Sequence, residues 1–140
     1  MKKNYEKILP TYICDIQEIN NLSKVMFMSN FPHHQFILCT SGTGKICTES
    51  NIEQTVSKSD IVFINSSILF SLRQQENFSI KRIAFNGNFV TNYLQYFDFN
   101  QAVVFLPKSN EVFNAFNIAY DSYMHDKDDI QNSVNMYNLI

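Results

Sequence analysis

A chain of 140 residues can bury a core without disulfide or metal staples, and this length predicts one domain with an appended helical piece. A net charge of −2 and a pI near 5.8 exclude a basic nucleic-acid surface on this chain itself. No apolar stretch approaches the roughly 18 residues that span a bilayer, so no membrane partner is expected. Charged residues make up only 17%, and 13 Phe and 7 Tyr must supply much of the core. Lys2-Lys3 leads into Asn4, Tyr5 and Glu6 rather than an apolar run, so no signal peptide is expected. Cys14, Cys39 and Cys47 make an odd count without a Cys-x-x-Cys pair. That pattern fits free thiols and a cytoplasmic location.

The first element is an arm, Met1–Asn21, carrying an edge strand over Tyr12–Ile16 after Pro10. Lys24–Ser29 is apolar on both faces and predicts a buried strand. In the next strand, from His34, alternation points Phe36, Leu38 and Thr40 one way and Ile37 and Cys39 the other. Ser41-Gly42-Thr43-Gly44 predicts a turn, because glycine tolerates positive φ. Lys45–Glu49 and Ile52–Ser57 then pair as a polar hairpin. Asp60–Asn65 is a second strand apolar on both faces. Ile68–Arg73 alternates, Gln74–Asn77 predicts a polar turn, and Phe78–Phe85 is the next strand. At Asn86-Gly87-Asn88 the period changes to helical, with Phe89, Val90, Tyr93, Leu94 and Phe97 on one face. Val103–Leu106 is a short last strand. Two helices follow, over Ser109–Met124 and from Asp128 onward. Strands followed by helices predict a mainly β domain, a barrel or jelly roll of about eight strands, with a helical appendage.

Motifs for chemistry are weak. Gly42-Thr43-Gly44-Lys45 is not a phosphate loop, because Cys39 and Ile46 stand where that loop needs Gly and Ser or Thr. His33 and His34 point to opposite faces of a strand, and Ile68–Leu72 offers no second histidine. No metal, cofactor or catalytic residue is therefore expected. Arg82 shares a face with Ile80 and Ala84. If that face is inside, the guanidinium needs an anion or several acceptors; if outside, it is solvated. Ile130, Val134 and Tyr137 form a narrow stripe on the last helix. It packs either on its own barrel or, as we favour, in a homodimer seam.

The order of these elements resembles the N-terminal effector-binding and dimerisation domain of the AraC family of bacterial transcription regulators. The likeness rests on His34, the Gly42-x-Gly44 segment, the exposed hairpin, Asp60 ahead of an apolar strand, and Arg82–Gly87 before a helix. It covers roughly Pro32–Ile140. Lys58-Ser59 replaces the family's proline-glycine, and Phe70 stands where many members carry histidine. The resemblance implies a cupin-like double-stranded β-barrel with an N-terminal arm over residues 1–106, followed by two or three helices, with a dimerisation segment over residues 107–140. It implies a small polar effector in the barrel contacting Phe36, Leu38, Leu72, Ile80 and Arg82, with His34 at the rim. It also implies DNA binding only through a helix-turn-helix half outside this chain. Two other readings are a small cupin enzyme (an isomerase or metal-dependent oxygenase) and a ligand-free protein–protein dimerisation module.

Overall fold

The computed structural model describes residues 12–22, 26–28, 33–48, 53–65, 70–86, 103–125 and 135. In chain order the elements are β1 (Tyr12–Ile19), β2 (Met26–Met28), β3 (His34–Thr48), β4 (Glu53–Ser57), β5 (Ile61–Ile64), β6 (Phe70–Asn86), β7 (Val103–Phe105) and α1 (Asn110–His125). Every strand pair is antiparallel. The strands form one seven-stranded sheet in the order β1-β6-β3-β5-β7, with β2 added to β6 and β4 to β3. The fold is thus mainly antiparallel β with a C-terminal helix, as expected. The helix expected over residues 88–97 and the one after Asp128 lie outside the described residues, apart from helical Asn135. No described helix is long and apolar enough to cross a membrane.

The sheet is built on one long ribbon, and here two expectations are corrected. Gly42-x-Gly44 and Gln74–Asn77 were both expected to be turns between strands. Instead β3 runs unbroken for 15 residues and β6 for 17, paired along their length. The register slips between Cys39 and Gly44, so the ribbon carries bulges at this point. Bulges raise local twist and bend a strand without ending it. Gly42 has φ +72°, and a Cβ there would collide with the carbonyl oxygens of Glu76 and Asn77. A Cβ on Gly44 would run into the Phe78 ring. The glycines therefore serve close approach of two strands, which spacing alone cannot distinguish from a turn. Gln74 Oε1 accepts the Phe78 backbone N–H at 3.2 Å, satisfying a group in the bend. Ser41 Oγ donates to the Asn77 carbonyl at 3.3 Å.

The bulge also changes the alternation. Ile37 and Cys39 lie in the same cluster as Ile46, so the buried row moves from odd to even positions across the bend. The two halves of the ribbon then enclose one core of Ile37, Cys39, Ile46, Val56, Val62, Ile64, Phe70, Leu72, Phe78 and Ile80. On the sheet's other face, Phe36, Leu38, Ile61, Phe63, Ile83 and Phe85 pack beneath Phe116, Ala119, Tyr120 and Tyr123 of α1. Lys81 Nζ sits 4.9 Å from the centre of the Tyr120 ring, adding a cation–π contact between sheet and helix. α1 begins with Ser109 Oγ accepting the Val112 N–H at 3.1 Å, an N-cap.

Asp60 organises the passage from β4 to β5. Its Oδ2 accepts the Ser57 N–H at 2.8 Å, and its Oδ1 lies 3.2 Å from Lys108 Nζ just before α1. Ser59, in the same turn, has φ +74°. Here a side chain occupies a backbone conformation that favours glycine.

His34 belongs to the α1-covered core. Its ring stacks on Phe63 at 5.8 Å and leans on Phe85 at 5.8 Å. Phe36 stacks on Phe85 at 4.8 Å and 10°. Burial lowers the His34 pKa to about 4; a hydrogen bond with Asn65 opposes the shift and repulsion from His33 adds to it. The fold thus favours neutral imidazole.

Three outcomes follow from this packing. Ser59→Gly relieves the positive φ and should stabilise the protein by about 0.5–1 kcal/mol, read as a higher midpoint in urea. Gly44→Ala should destabilise by about 3 kcal/mol or more, because neither the Phe78 ring nor the paired strand can step aside freely; an unchanged midpoint would refute the close approach. For His34, the unfolded chain holds the extra proton between its ordinary pKa of 6.5 and the folded value of about 4. Stability is therefore complete above that window and falls as pH drops through it, by up to about 3 kcal/mol from this residue. His34→Phe keeps the stacking and removes this loss. Its melting temperature should fall less than that of the wild type between pH 7 and 4.5.

Candidate functional site

Alternation along a strand gives each residue one of two faces, and register across strands aligns the rows. On the enclosed face, β3 contributes Gln35, Ile37 and Cys39, and β6 contributes Ile80, Arg82 and Ala84 opposite them. β1 adds Gln17 directly opposite Arg82. Arg82 is 6% exposed, which decides between the two sequence readings: it is not a solvated outer residue. Its Nη1 donates to Gln35 Oε1 at 2.9 Å and its Nη2 to Gln17 Oε1 at 2.9 Å. The guanidinium thereby ties three neighbouring strands together through side chains. Burial pushes its pKa below the ordinary value, and the nearby Asp15 carboxylate pulls it back up.

Among the described residues Arg82 is the only buried Arg, Lys, Asp or Glu; the other buried polar residues are His34, Gln35, Ser79 and Asn135. A cation at this depth is costly unless its donors are satisfied. The two amide oxygens satisfy two donor groups while adding no negative charge. Beyond Arg82 the same face becomes apolar, through Ile37 and Ile80 toward Phe78, Leu72 and Phe70. The enclosed face therefore has a cationic, hydrogen-bonding end and a hydrophobic end. That gradient suits an amphipathic anion better than a uniformly polar sugar.

The sequence-based candidate set divides in two. Leu72, Ile80 and Arg82 share the enclosed face. Phe36 and Leu38 do not join them, because they pack in the cluster beneath α1. His34 follows their row and is 5% exposed, so it is part of that core and not at an open rim. The reason is that β3 is apolar on both faces, so alternation separates the rows without saying which one is enclosed. Ile130, Val134 and Tyr137 lie outside the described residues. Gln35 and Gln17 were missed. A glutamine inside the apolar run His34–Cys39 was the available signal for Gln35; for Gln17 there was none before β1 was registered on β6.

Among the described residues, no group of three or more His, Cys, Asp or Glu is placed to hold a metal ion. Phe70 occupies a buried position on the enclosed face. Cys39 is fully buried, and burial pushes its thiol pKa up to about 11.

No family model matches the sequence, and no curated protein matches it. Solved structures do match the fold. An apo variant of ToxT from Vibrio cholerae strain SCE256 superposes with a TM-score of 0.64 at 13% identity, over 87% of this chain and 51% of that one. A second ToxT structure from Vibrio cholerae gives 0.59 at 14% identity, over 91% and 52%. Wild-type ToxT from strain SCE256 with a bound unsaturated fatty acid gives 0.55 at 12% identity, over 90% and 53%. The chain thus spans about half the length of the ToxT chains it matches. At this identity the likeness is one of fold, and it agrees with the order of motifs along the sequence: this chain has the fold of the N-terminal domain of ToxT, an AraC-family regulator.

Proposed function

We propose that this chain is the effector-sensing and dimerisation domain of an AraC-type transcription regulator, acting in the cytoplasm and binding a small polar molecule with a carboxylate at Arg82. The observation that carries this reading is the buried guanidinium on the enclosed face, in a fold shared with a protein whose structure was solved with an unsaturated fatty acid. Arg pairs with a carboxylate through two parallel N–H···O bonds, stronger than bonds to neutral amides. The ligand's apolar part would run toward Ile80 and Leu72.

The same contact supplies a mechanism. A carboxylate at Arg82 competes with Gln17 Oε1, and Gln17 sits on β1, the strand within the N-terminal arm. Loosening that bond changes how firmly β1 holds to β6. A ligand shifts such an equilibrium only by as much as it prefers one state over the other. The C-terminal segment, residues 107–140, provides the homodimer seam through Ile130, Val134 and Tyr137. DNA is contacted by a helix-turn-helix domain beyond this segment.

A second reading, a ligand-free dimerisation module, has one observation in its favour. Phe70, Leu72, Phe78 and Ile80 are each 2% exposed or less, so the hydrophobic end of the enclosed face is closely packed.

Thermal shift with oleate, oleyl alcohol, short organic acids and sugars separates the two readings. The sensor reading expects a carboxylate to raise the melting temperature, by about 2–3 kcal/mol of added stability near a hundredfold excess over Kd. It expects the matched alcohol to do much less. Arg82→Gln should weaken the carboxylate by about tenfold to a hundredfold, while Arg82→Lys keeps part of the effect. No stabilisation by any compound, with dimers intact in sedimentation, would favour the ligand-free module. Introducing a charge at Val134 (Val134→Asp) should shift the sedimenting species toward monomer.

A further inference from the structure

The three thiols of this chain have three different surroundings. Cys39 is fully buried, and its Sγ donates to the carbonyls of Ser41 at 3.3 Å and Gly42 at 3.5 Å. Cys47 is half-buried and turns onto its neighbour, with Sγ 3.6 Å from the Thr48 carbonyl. Cys14 is also half-buried, but its Sγ lies 3.4 Å from Nδ1 of His33. That separation is hydrogen-bond distance for sulfur, and the partner is an imidazole nitrogen, which can act as donor or acceptor.

The backbone explains how the pair forms. In β1 the register on β6 passes from Ile13↔Phe85 to Asp15↔Ala84, which leaves Cys14 at a bulge with no opposite residue. A bulged residue leaves the regular alternation, and its side chain is re-aimed. His33 immediately precedes β3, next to the first β3–β6 pair, His34↔Phe85. Ile13 and His34 thus both face Phe85, and their neighbours Cys14 and His33 meet at the same end of the sheet. They are nineteen residues apart in sequence, so no local motif announces them.

We propose that Cys14 and His33 form a reactive thiol–imidazole pair, and that Cys14 is the cysteine of this chain oxidised by hydroperoxides. His33 Nδ1 accepts the thiol proton as the sulfur attacks one peroxide oxygen. The O–O bond breaks, and the departing alkoxide or hydroxide takes the proton from His33. The thiol is oxidised to a sulfenic acid, and the peroxide is reduced to an alcohol or water. A base at hydrogen-bond distance supplies thiolate character near neutral pH, which an isolated thiol lacks. Oxidation at this bulge acts on the strand that carries Gln17, three positions along β1, and so on the bond to Arg82. The chemistry itself rests only on the surroundings of Cys14 and requires no ligand in the barrel.

The test uses the full chain, hydrogen peroxide and dimedone, with the sulfenic adduct read at each cysteine by peptide mass spectrometry. The expected result is an adduct on Cys14 forming about tenfold faster than on Cys47, with Cys39 unreacted. Its rate should be nearly level from about pH 7 to 8.5, where an ordinary thiol rises about fifteenfold over the whole interval. His33→Asn should bring Cys14 down to the rate of Cys47 and restore the ordinary pH rise. Protection of Cys39 reports that the variant is folded; if it is not, the wild-type pH profile decides. Cys14 reacting no faster than Cys47, or a wild-type profile rising like a free thiol, overturns the proposal. So does a Cys14 rate unchanged in folded His33→Asn.

Discussion

The structure depends on the contact between Gly44 and the ring of Phe78, with Gly42 seated against the carbonyls of Glu76 and Asn77. A straight two-stranded ribbon of this length would expose one face of β3 and β6 entirely. Bending it at the glycines folds the far half over the near half and encloses a hydrophobic core to which β4 and β5 add Val56, Val62 and Ile64. The bulge does two things at once. It admits the bend, and it moves the buried row by one residue so that Ile46 continues the row begun by Ile37 and Cys39. Without that shift, the period-two rule would turn the second half of the apolar row outward.

Once the ribbon is bent, its two faces have different fates. One is sealed by α1 through aromatic packing, with Phe36, Phe63, Phe85 and His34 under Phe116 and Tyr120. A histidine in this position costs little while it is neutral, and much once protonated, because a buried charge loses its hydration. The other face holds the apolar interior and, at its end, Arg82. Among the described residues, the buried Arg, Lys, Asp or Glu charge is therefore confined to this face. Rim charges such as the Lys45–Glu53–Arg73 cluster, with Glu53 3.0 Å from Lys45 and 2.6 Å from Arg73, are exposed and add little.

Arg82 joins the fold to the proposed function. Its hydrogen bonds to Gln35 and Gln17 connect β6 to β3 on one side and to β1 on the other. Two neutral acceptors hold the guanidinium in place, and the nearby Asp15 carboxylate acts on its charge. Because one acceptor belongs to β1, the hold on that strand and the state of the cation are linked physically. The Cys14 bulge lies on the same strand, a few residues before Gln17. β1 is thus where both a bound anion and an oxidised thiol would act, and among the described residues it pairs with β6 alone.

Much of this was legible in the sequence. The alternating and doubly apolar runs located the strands, and the helical spacing over Ser109–Met124 located α1. Those are local properties, set by side-chain type and spacing over a few residues. The Gly-x-Gly segment showed that the backbone needs room, but not whether it turns or is closely approached, because both demand a missing Cβ. Only the tertiary structure decided that β3 and β6 continue through the bend. Only it decided which face of β3 is enclosed, so that Phe36, Leu38 and His34 fall on the α1 side and Arg82 on the other. Only it brought Gln17 to Arg82 and Cys14 to His33. The physical reason is the same in each case: register across strands and the direction of a bend are fixed by contacts between residues distant in the chain, which local spacing does not encode.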